Sequence, residues 1–236
     1  MGEFCRGLRI RGGWYDEAMA EPDDAEQLRR SWIANASAWS ETVRGGKIES
    51  RRVGTDAAIV AAVLERDPRR VLDLGCGEGW LARVLAERGI EVVGVDASPA
   101  LIEAANELGG GVFRVASYEE LAGLDETFDL IVANFSLLHE DLQPMLSALR
   151  SKAPTLIVQT AHPAFAGGDY VDGWRTETFA AMEGEWPEPM PWYFRTVGSW
   201  VRVFREGGYS VAEVREPLHP QHLRPLSLLL VATVTV

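Results

Sequence analysis

Between residues 68 and 160 short apolar runs alternate with helix-length segments, and no other feature of the sequence narrows the possible folds as much. The runs at 71–74, 92–95, 112–115, 128–134 and 155–160 have strand length and are rich in branched aliphatic residues. Between them lie three helical segments: 81–88, ended by Gly89; SPALIEAANEL, with Ser98 as N-cap and Pro99 at its first position; and 141–150. Strands buried on both faces read as continuous apolar runs, so the pattern predicts a parallel sheet covered by helices on both sides. The rhythm resumes near the C-terminus. TVGSWVRVFREGG places Val197, Trp200, Val201 and Phe204 on one helical face, and YSVAEVRE and LSLLLVATVTV add two strands. The expected class is α/β, a doubly wound, mostly parallel sheet of seven strands.

Two regions depart from the rhythm. Residues 24–43 carry Leu28, Trp32, Ala36 and Trp39 at helical spacing behind a run of acids, and Gly45 and Gly46 end that helix. A second helix, 55–66, is closed by Pro68. Residues 163–195 hold Trp174, Trp186, Trp192, four prolines and many acids without a period, which marks an insertion or lid with its own packing. The expected layout is a loose segment 1–22 and one domain, 23–236. That domain divides into a helical cover 23–67, a core 68–162, a lid insertion 163–195 and a C-terminal helix with strands 196–236. Residues 1–18 carry no pattern, and Met19 is an alternative start.

The strand at 71–74 runs into three glycines within five positions, Gly75, Gly77 and Gly79. A turn between strand and helix does not need all three, so a ligand must approach this backbone closely. A dinucleotide fold wants G-x-G-x-x-G, whereas the spacing here is G-x-G-x-G. Asp73 would repel a pyrophosphate, but it suits a ligand with an amino group and a positive centre. A second acid, Asp96, ends the next strand, where it can hold two ribose hydroxyls.

VLDLGCGEG followed by VVGVDAS resembles motif I and its successor in class I S-adenosylmethionine-dependent methyltransferases, and FDLIVANFSLLHED resembles motif IV of that family. The resemblance covers residues 50–160 well and 193–236 moderately. It implies a Rossmann-like fold and S-adenosyl-L-methionine as cofactor. By position it assigns Asp73, Gly75, Cys76 and Gly77 to the methionine moiety, Asp96 to the ribose, and Ala97, Ser117 and Tyr118 to the adenine. Asn134 and Phe135 fall near the reactive methyl. Many relatives have an aspartate where Ser117 stands, so this chain departs from the family pattern at that position. Arg52, or Arg51 beside it, matches an arginine that pairs with the cofactor carboxylate in part of the family. TAHP and YFRT are similar to a pattern in the small-molecule branch, which points to His162 and Arg195.

Each residue also has a plain structural reading. Gly79 reads equally as a helix–sheet packing glycine, and Cys76 as a small buried filler. Trp32 and Trp39 have core spacing but sit where a cover would meet the site. His139 follows an apolar run as a structural histidine would, yet either it or His162 can take a proton from an acceptor. The four histidines form no ligand cluster with the acids, so no metal is expected.

Composition bounds the partners. The 236 residues carry a formal net charge of −12 and no Lys/Arg run, which disfavours a nucleic-acid substrate. The two cysteines, Cys5 and Cys76, make no disulfide framework, and a reducing cytoplasm fits them. No apolar run reaches the ~20 residues of a membrane span. The opening MGEFCRGLRIRGG lacks the apolar region of a signal peptide and, with Arg6, the Ser/Thr of a myristoylation site. The expected function is methyl transfer by in-line displacement to a small organic acceptor, hydrophobic or aromatic. The rivals are a protein or RNA methyltransferase, a non-catalytic module that holds the cofactor and, weakest, a dehydrogenase.

Overall fold

The computed structural model describes residues 23–235; the expected loose segment 1–22, with Met19 and Cys5, lies outside the described residues. Nine strands are present: β1 (Arg70–Leu74), β2 (Glu91–Asp96), β3 (Val112–Val115), β4 (Leu130–Asn134), β5 (Thr155–Ala161), β6 (Gly173–Glu177), β7 (Met190–Phe194), β8 (Tyr209–Arg215) and β9 (Ser227–Val234). Seven form one sheet in the order β3-β2-β1-β4-β5-β9-β8. β1 to β5 are parallel, and β9 runs antiparallel between β5 and β8. The chain winds outward from β1 to β3 and then returns to β4. The order therefore reverses at the carboxyl ends of β1 and β4, the place where such sheets bind ligands.

Among the described residues seven α-helices accompany the strands: α1 (Asp24–Ala34), α2 (Ala36–Arg44), α3 (Asp56–Leu64), α4 (Trp80–Ala86), α5 (Pro99–Leu108), α6 (Gln143–Leu149) and α7 (Val197–Glu206). Alternation along the strands splits the core in two. Val71, Val92, Leu130, Val132 and Ile157 pack with α3, α4 and α5 on one face. Leu72, Leu74, Ile131, Ala133 and Leu156 pack with α6 and α7 on the other. This double burial is why the strands read as unbroken apolar runs. Asp73, in register with Val71, is a carboxylate in an otherwise apolar face, 2% exposed.

Three segments differ from their sequence reading. The single helix expected over 24–43 is two helices broken at Asn35, whose φ of −90° and ψ of 2° leave the helical path. The buried Asn35 amide donates to Glu188 O at 2.7 Å and accepts from Glu188 N–H at 3.3 Å, so a distant loop takes up its bonding capacity. The helix before β1 starts with a π-helical turn, Arg51–Thr55, ahead of α3. The stretch 163–195, which shows no period, contains the hairpin β6–β7 outside the main sheet. Its five-residue strands are short, and Pro191 interrupts the alternation, so no sequence period emerges. Among the described residues no helix is long and apolar enough to cross a membrane.

Candidate cofactor and acceptor site

A cavity of about 630 Å³ opens at the carboxyl ends of β1, β2 and β4. Its floor is the glycine turn, and the three glycines serve different ends. A Cβ at Gly75 would collide with Ser136, and one at Gly79 would lie 2.8 Å from Phe113 and 3.2 Å from Ala105. Those two glycines allow elements to pack. At Gly77 a Cβ would find its nearest protein atom 3.7 Å away, Trp39 Nε1. With φ at +57° and a vacant approach, Gly77 leaves its backbone open to a ligand.

Two acids stand at the turn. Asp96 accepts the Gly77 N–H at 2.9 Å through Oδ2 and the Ser98 N–H at 2.9 Å through Oδ1, which locks the ends of β1 and β2 together. Burial raises its pKa, against the lowering effect of these backbone donors. Asp73 has no such help: its Oδ2 is buried without a hydrogen-bond partner. Burial, then the charge of Asp96, pushes its pKa up to about 7. An unpartnered carboxylate beside an open glycine backbone fits a ligand carrying an ammonium group, and Asp96 fits a diol. The residues present therefore fit the methionine and ribose parts of S-adenosylmethionine.

The far wall comes from β4. Phe135 adopts φ +55°, a left-handed conformation that costs a non-glycine residue about 1–2 kcal/mol. Its N–H is held by Gln159 O at 2.7 Å, which fixes the kink. The buried Gln159 amide donates to Asn134 Oδ1 at 2.8 Å and to Thr55 O at 3.0 Å, so the carboxamide oxygen of Asn134 is occupied from behind. Tyr118 donates to Ser136 O at 2.5 Å, and Ser136 donates to Leu74 O at 2.6 Å. Burial raises the Tyr118 pKa, so its hydroxyl stays a donor.

Much of the remaining lining is aromatic or sulfur-bearing, and Trp39 approaches the Gly77 turn itself. Trp32 and Trp39, from α1 and α2, meet edge to face at 5.2 Å. Phe179, Met182, Met190 and Trp192 come from the hairpin region. His139 lines the cavity at this end, its ring 5.3 Å from that of Tyr118. Burial lowers its pKa below the usual imidazole value, partly opposed by Glu119, so it is neutral near pH 7 and able to accept a proton.

The sequence candidates thus divide. Gly75, Cys76, Gly77, Asp96, Ala97, Ser117, Tyr118, Asn134, Phe135 and His139 line one cavity. Asp73 does not line it but adjoins Leu74, which does. Arg52 is exposed outside it, whereas Arg51 lines it, with Nε donating to Asp56 at 2.9 Å and the guanidinium 4.5 Å over the Trp80 ring. His162 is buried outside the lining. Its Nδ1 accepts the Ala164 N–H at 3.2 Å, which leaves Nε2 to donate to Glu216 Oε1 at 2.6 Å. Arg195 is also buried outside the lining, its Nη2 donating to His139 O and Glu140 O, both at 2.5 Å. Desolvation lowers its pKa to about 10. It braces the loop that carries His139. Burial raises the Cys76 thiol pKa well above its normal value, which makes it an inert filler.

Sequence reasoning passed over Glu78, Ser136 and Gln159. Glu78 lines the cavity and is 1% exposed, paired with Arg83 at 2.6 Å and Arg44 at 3.4 Å. An acid between two glycines of the turn was the available signal. Gln159 offered a weaker one, as the polar residue in an apolar strand.

This fold and site define a nucleoside-cofactor enzyme architecture with an apolar second compartment. Residues 71–153 match the family model described as a methyltransferase domain. Over 192 residues the chain is 34% identical to the ubiquinone biosynthesis O-methyltransferase of Parvibaculum lavamentivorans, covering 73% of this chain and 70% of that protein. It is 28% identical over 162 residues to an uncharacterized methyltransferase of Schizosaccharomyces pombe, covering 64% of this chain and 62% of that one. The matches to the first curated relatives span 62%, 34% and 55% of their lengths. The crystal structure of magnesium protoporphyrin IX methyltransferase from Synechocystis PCC 6803 with bound SAH shares the fold. It aligns with 90% of this chain and 100% of that chain at a TM-score of 0.62 and 19% identity. The chain belongs to the class I S-adenosylmethionine-dependent methyltransferases, and S-adenosyl-L-methionine is the cofactor of that family.

Proposed function

We propose that the protein transfers a methyl group from S-adenosylmethionine to a small organic acceptor with an apolar or aromatic body. The observation that carries this reading is a single cavity that runs from the open backbone of Gly77 to His139 and an aromatic wall. When bound, the cofactor supplies an electrophilic methyl that is displaced in line, the C–S electron pair staying on sulfur as a thioether. The turn Gly75–Gly77, with Asp73 and Asp96, holds the methionine and ribose ends. Ala97, Ser117 and Tyr118 face the adenine, and Asn134 and Phe135 border the reacting centre. Arg51, rather than Arg52, is placed to meet the cofactor carboxylate.

His139 takes the proton that the acceptor atom loses as its lone pair forms the new bond to carbon. Arg195 acts through that loop as a positioning residue, and His162 as a brace between the segment after β5 and Glu216. The stretch 163–195 is the lid over the acceptor, joined to the cover 23–67 by Asn35, and together they exclude water. A free, buried Cys76 and the absence of a membrane-spanning helix among the described residues support a cytoplasmic setting. The acidic balance supports a small molecule over RNA.

The test is a screen of labelled-methyl transfer into metabolite pools, read by mass spectrometry. A labelled small molecule made by the wild type but not by Gly77→Val supports the reading. Label found only in protein or RNA contradicts it, and so does cofactor binding with no labelled product.

A further inference from the structure

The charges around the acceptor end narrow what it takes, an argument that rests on the methyl-transfer reading above. Besides Glu78 and Asp96, four carboxylates line the cavity: Asp23 and Glu26 at the start of α1, Glu119 after β3, and Glu177 at the end of β6. Two arginines line it, and both are engaged. Arg29 grips Glu26 with Nε at 2.9 Å and Nη2 at 2.5 Å from the carboxylate oxygens. Arg51 is bonded to Asp56 and stacked on Trp80. With Arg51 assigned to the cofactor carboxylate and Arg29 held by Glu26, the lining has, among the described residues, carboxylates to spare and no arginine left for an anionic acceptor.

Two of the acids also act on the proposed base. Glu119 and Asp23, from different elements, both act electrostatically on His139, with Arg195 the opposing charge behind it. An anionic acceptor would exchange its hydration for the faces of Phe179 and Trp192 with nothing to balance its charge. An ammonium would gain those faces by cation–π attraction and the acids by charge.

We propose that the acceptor is a ring-bearing apolar molecule that is cationic or uncharged, and that carboxylate-bearing acceptors are selected against. Three probes with the same 4-hydroxyphenyl ring separate the possibilities: 4-hydroxyphenethylamine, 4-hydroxyphenethyl alcohol and 4-hydroxyphenylacetate. Each is titrated calorimetrically at pH 7 into protein saturated with S-adenosylhomocysteine. The expected order of affinity is amine, alcohol, acetate, with the amine at least about tenfold tighter than the acetate. Glu26→Gln releases Arg29 at an exposed position, so the fold is retained. It should narrow the amine-to-acetate ratio by about threefold or more.

Acetate binding equal to or tighter than amine binding overturns the proposal. So does a ratio unmoved in Glu26→Gln, and so does binding of none of the three. Failure of S-adenosylhomocysteine itself to bind strikes the cofactor reading beneath, and is seen before any probe is added.

Discussion

The two ends of the cavity are built in opposite ways. The cofactor end is made of backbone and short polar side chains at strand ends: the turn after β1, Asp96 at the end of β2, and Asn134 at the end of β4. The parallel register fixes these parts, with Asp73 beside Gly94 and Val132 in the sheet. The end proposed for the acceptor is lined by large side chains from α1, α2 and the β6–β7 hairpin, segments that lie outside the sheet and are far apart in sequence. One end is fixed by the scaffold and suits a constant ligand. The other is held by side-chain contacts such as the clasp of Asn35 on Glu188 and the Phe179–Trp186 stack at 4.2 Å, and suits a ligand that differs between relatives.

The largest effect expected is at the scaffolded end. Gly77→Val puts a branched side chain into the open approach and should weaken S-adenosylhomocysteine by at least about 1,000-fold, ~4 kcal/mol. Calorimetry measures it, with circular dichroism to show that the variant folds. Undiminished binding in a folded variant would remove the turn from the site.

Next comes Asp73→Asn, followed by thermal or urea unfolding without cofactor. The folded-state pKa is raised to about 7, so ionising this buried acid destabilises the fold. Stability of the wild type should fall as pH rises from about 4 towards 7, since the folded state binds the extra proton there. The asparagine variant escapes that loss. It should be more stable on the order of 2–4 kcal/mol at pH 8 and matched to wild type at pH 4. The reverse pH dependence would mean that Asp73 has a partner in the apo protein.

At the acceptor end the comparison sharpens through two histidines. His139→Ala should lower turnover by about 100-fold, ~2.7 kcal/mol, with S-adenosylhomocysteine affinity unchanged. His162→Ala should leave turnover near normal and reduce stability instead, because its imidazole bonds to Glu216 and Ala164 rather than facing the cavity. The opposite assignment of losses would return the proton-accepting role to His162. The smallest effect is Asn35→Ala, which opens the clasp between cover and hairpin. It should lower stability by about 1–2 kcal/mol and speed proteolysis within 163–195, seen by limited digestion.

The same contrast explains what the sequence made legible. The turn, both acids and the end of β4 were readable, because each sits at a fixed step from a strand boundary and the strand boundaries were plain. Choosing Arg51 over Arg52 needed the π-helical turn, since one residue of rotation decides which guanidinium faces inward. That His139 lines the cavity and His162 does not depends on Glu216, a residue of the β8–β9 connection that no local pattern links to β5. Arg195 looked like a substrate contact because it re-enters the fold beside the lid. Its actual partners are two backbone carbonyls, for which sequence carries no signal. The hairpin went unseen because its five-residue strands are short and mostly half-buried, with no alternation of burial, and Pro191 interrupts one of them.

The most direct measurement of the division between the two ends is calorimetric titration of S-adenosylhomocysteine into Asp96→Ala and Trp192→Ala side by side. Asp96 holds the turn through Gly77 and Ser98, whereas Trp192 lines the cavity from β7, outside the main sheet. Asp96→Ala should lose about 1–3 kcal/mol of binding, and Trp192→Ala should stay within about twofold of wild type. A loss in Trp192→Ala equal to or greater than that in Asp96→Ala would contradict the account.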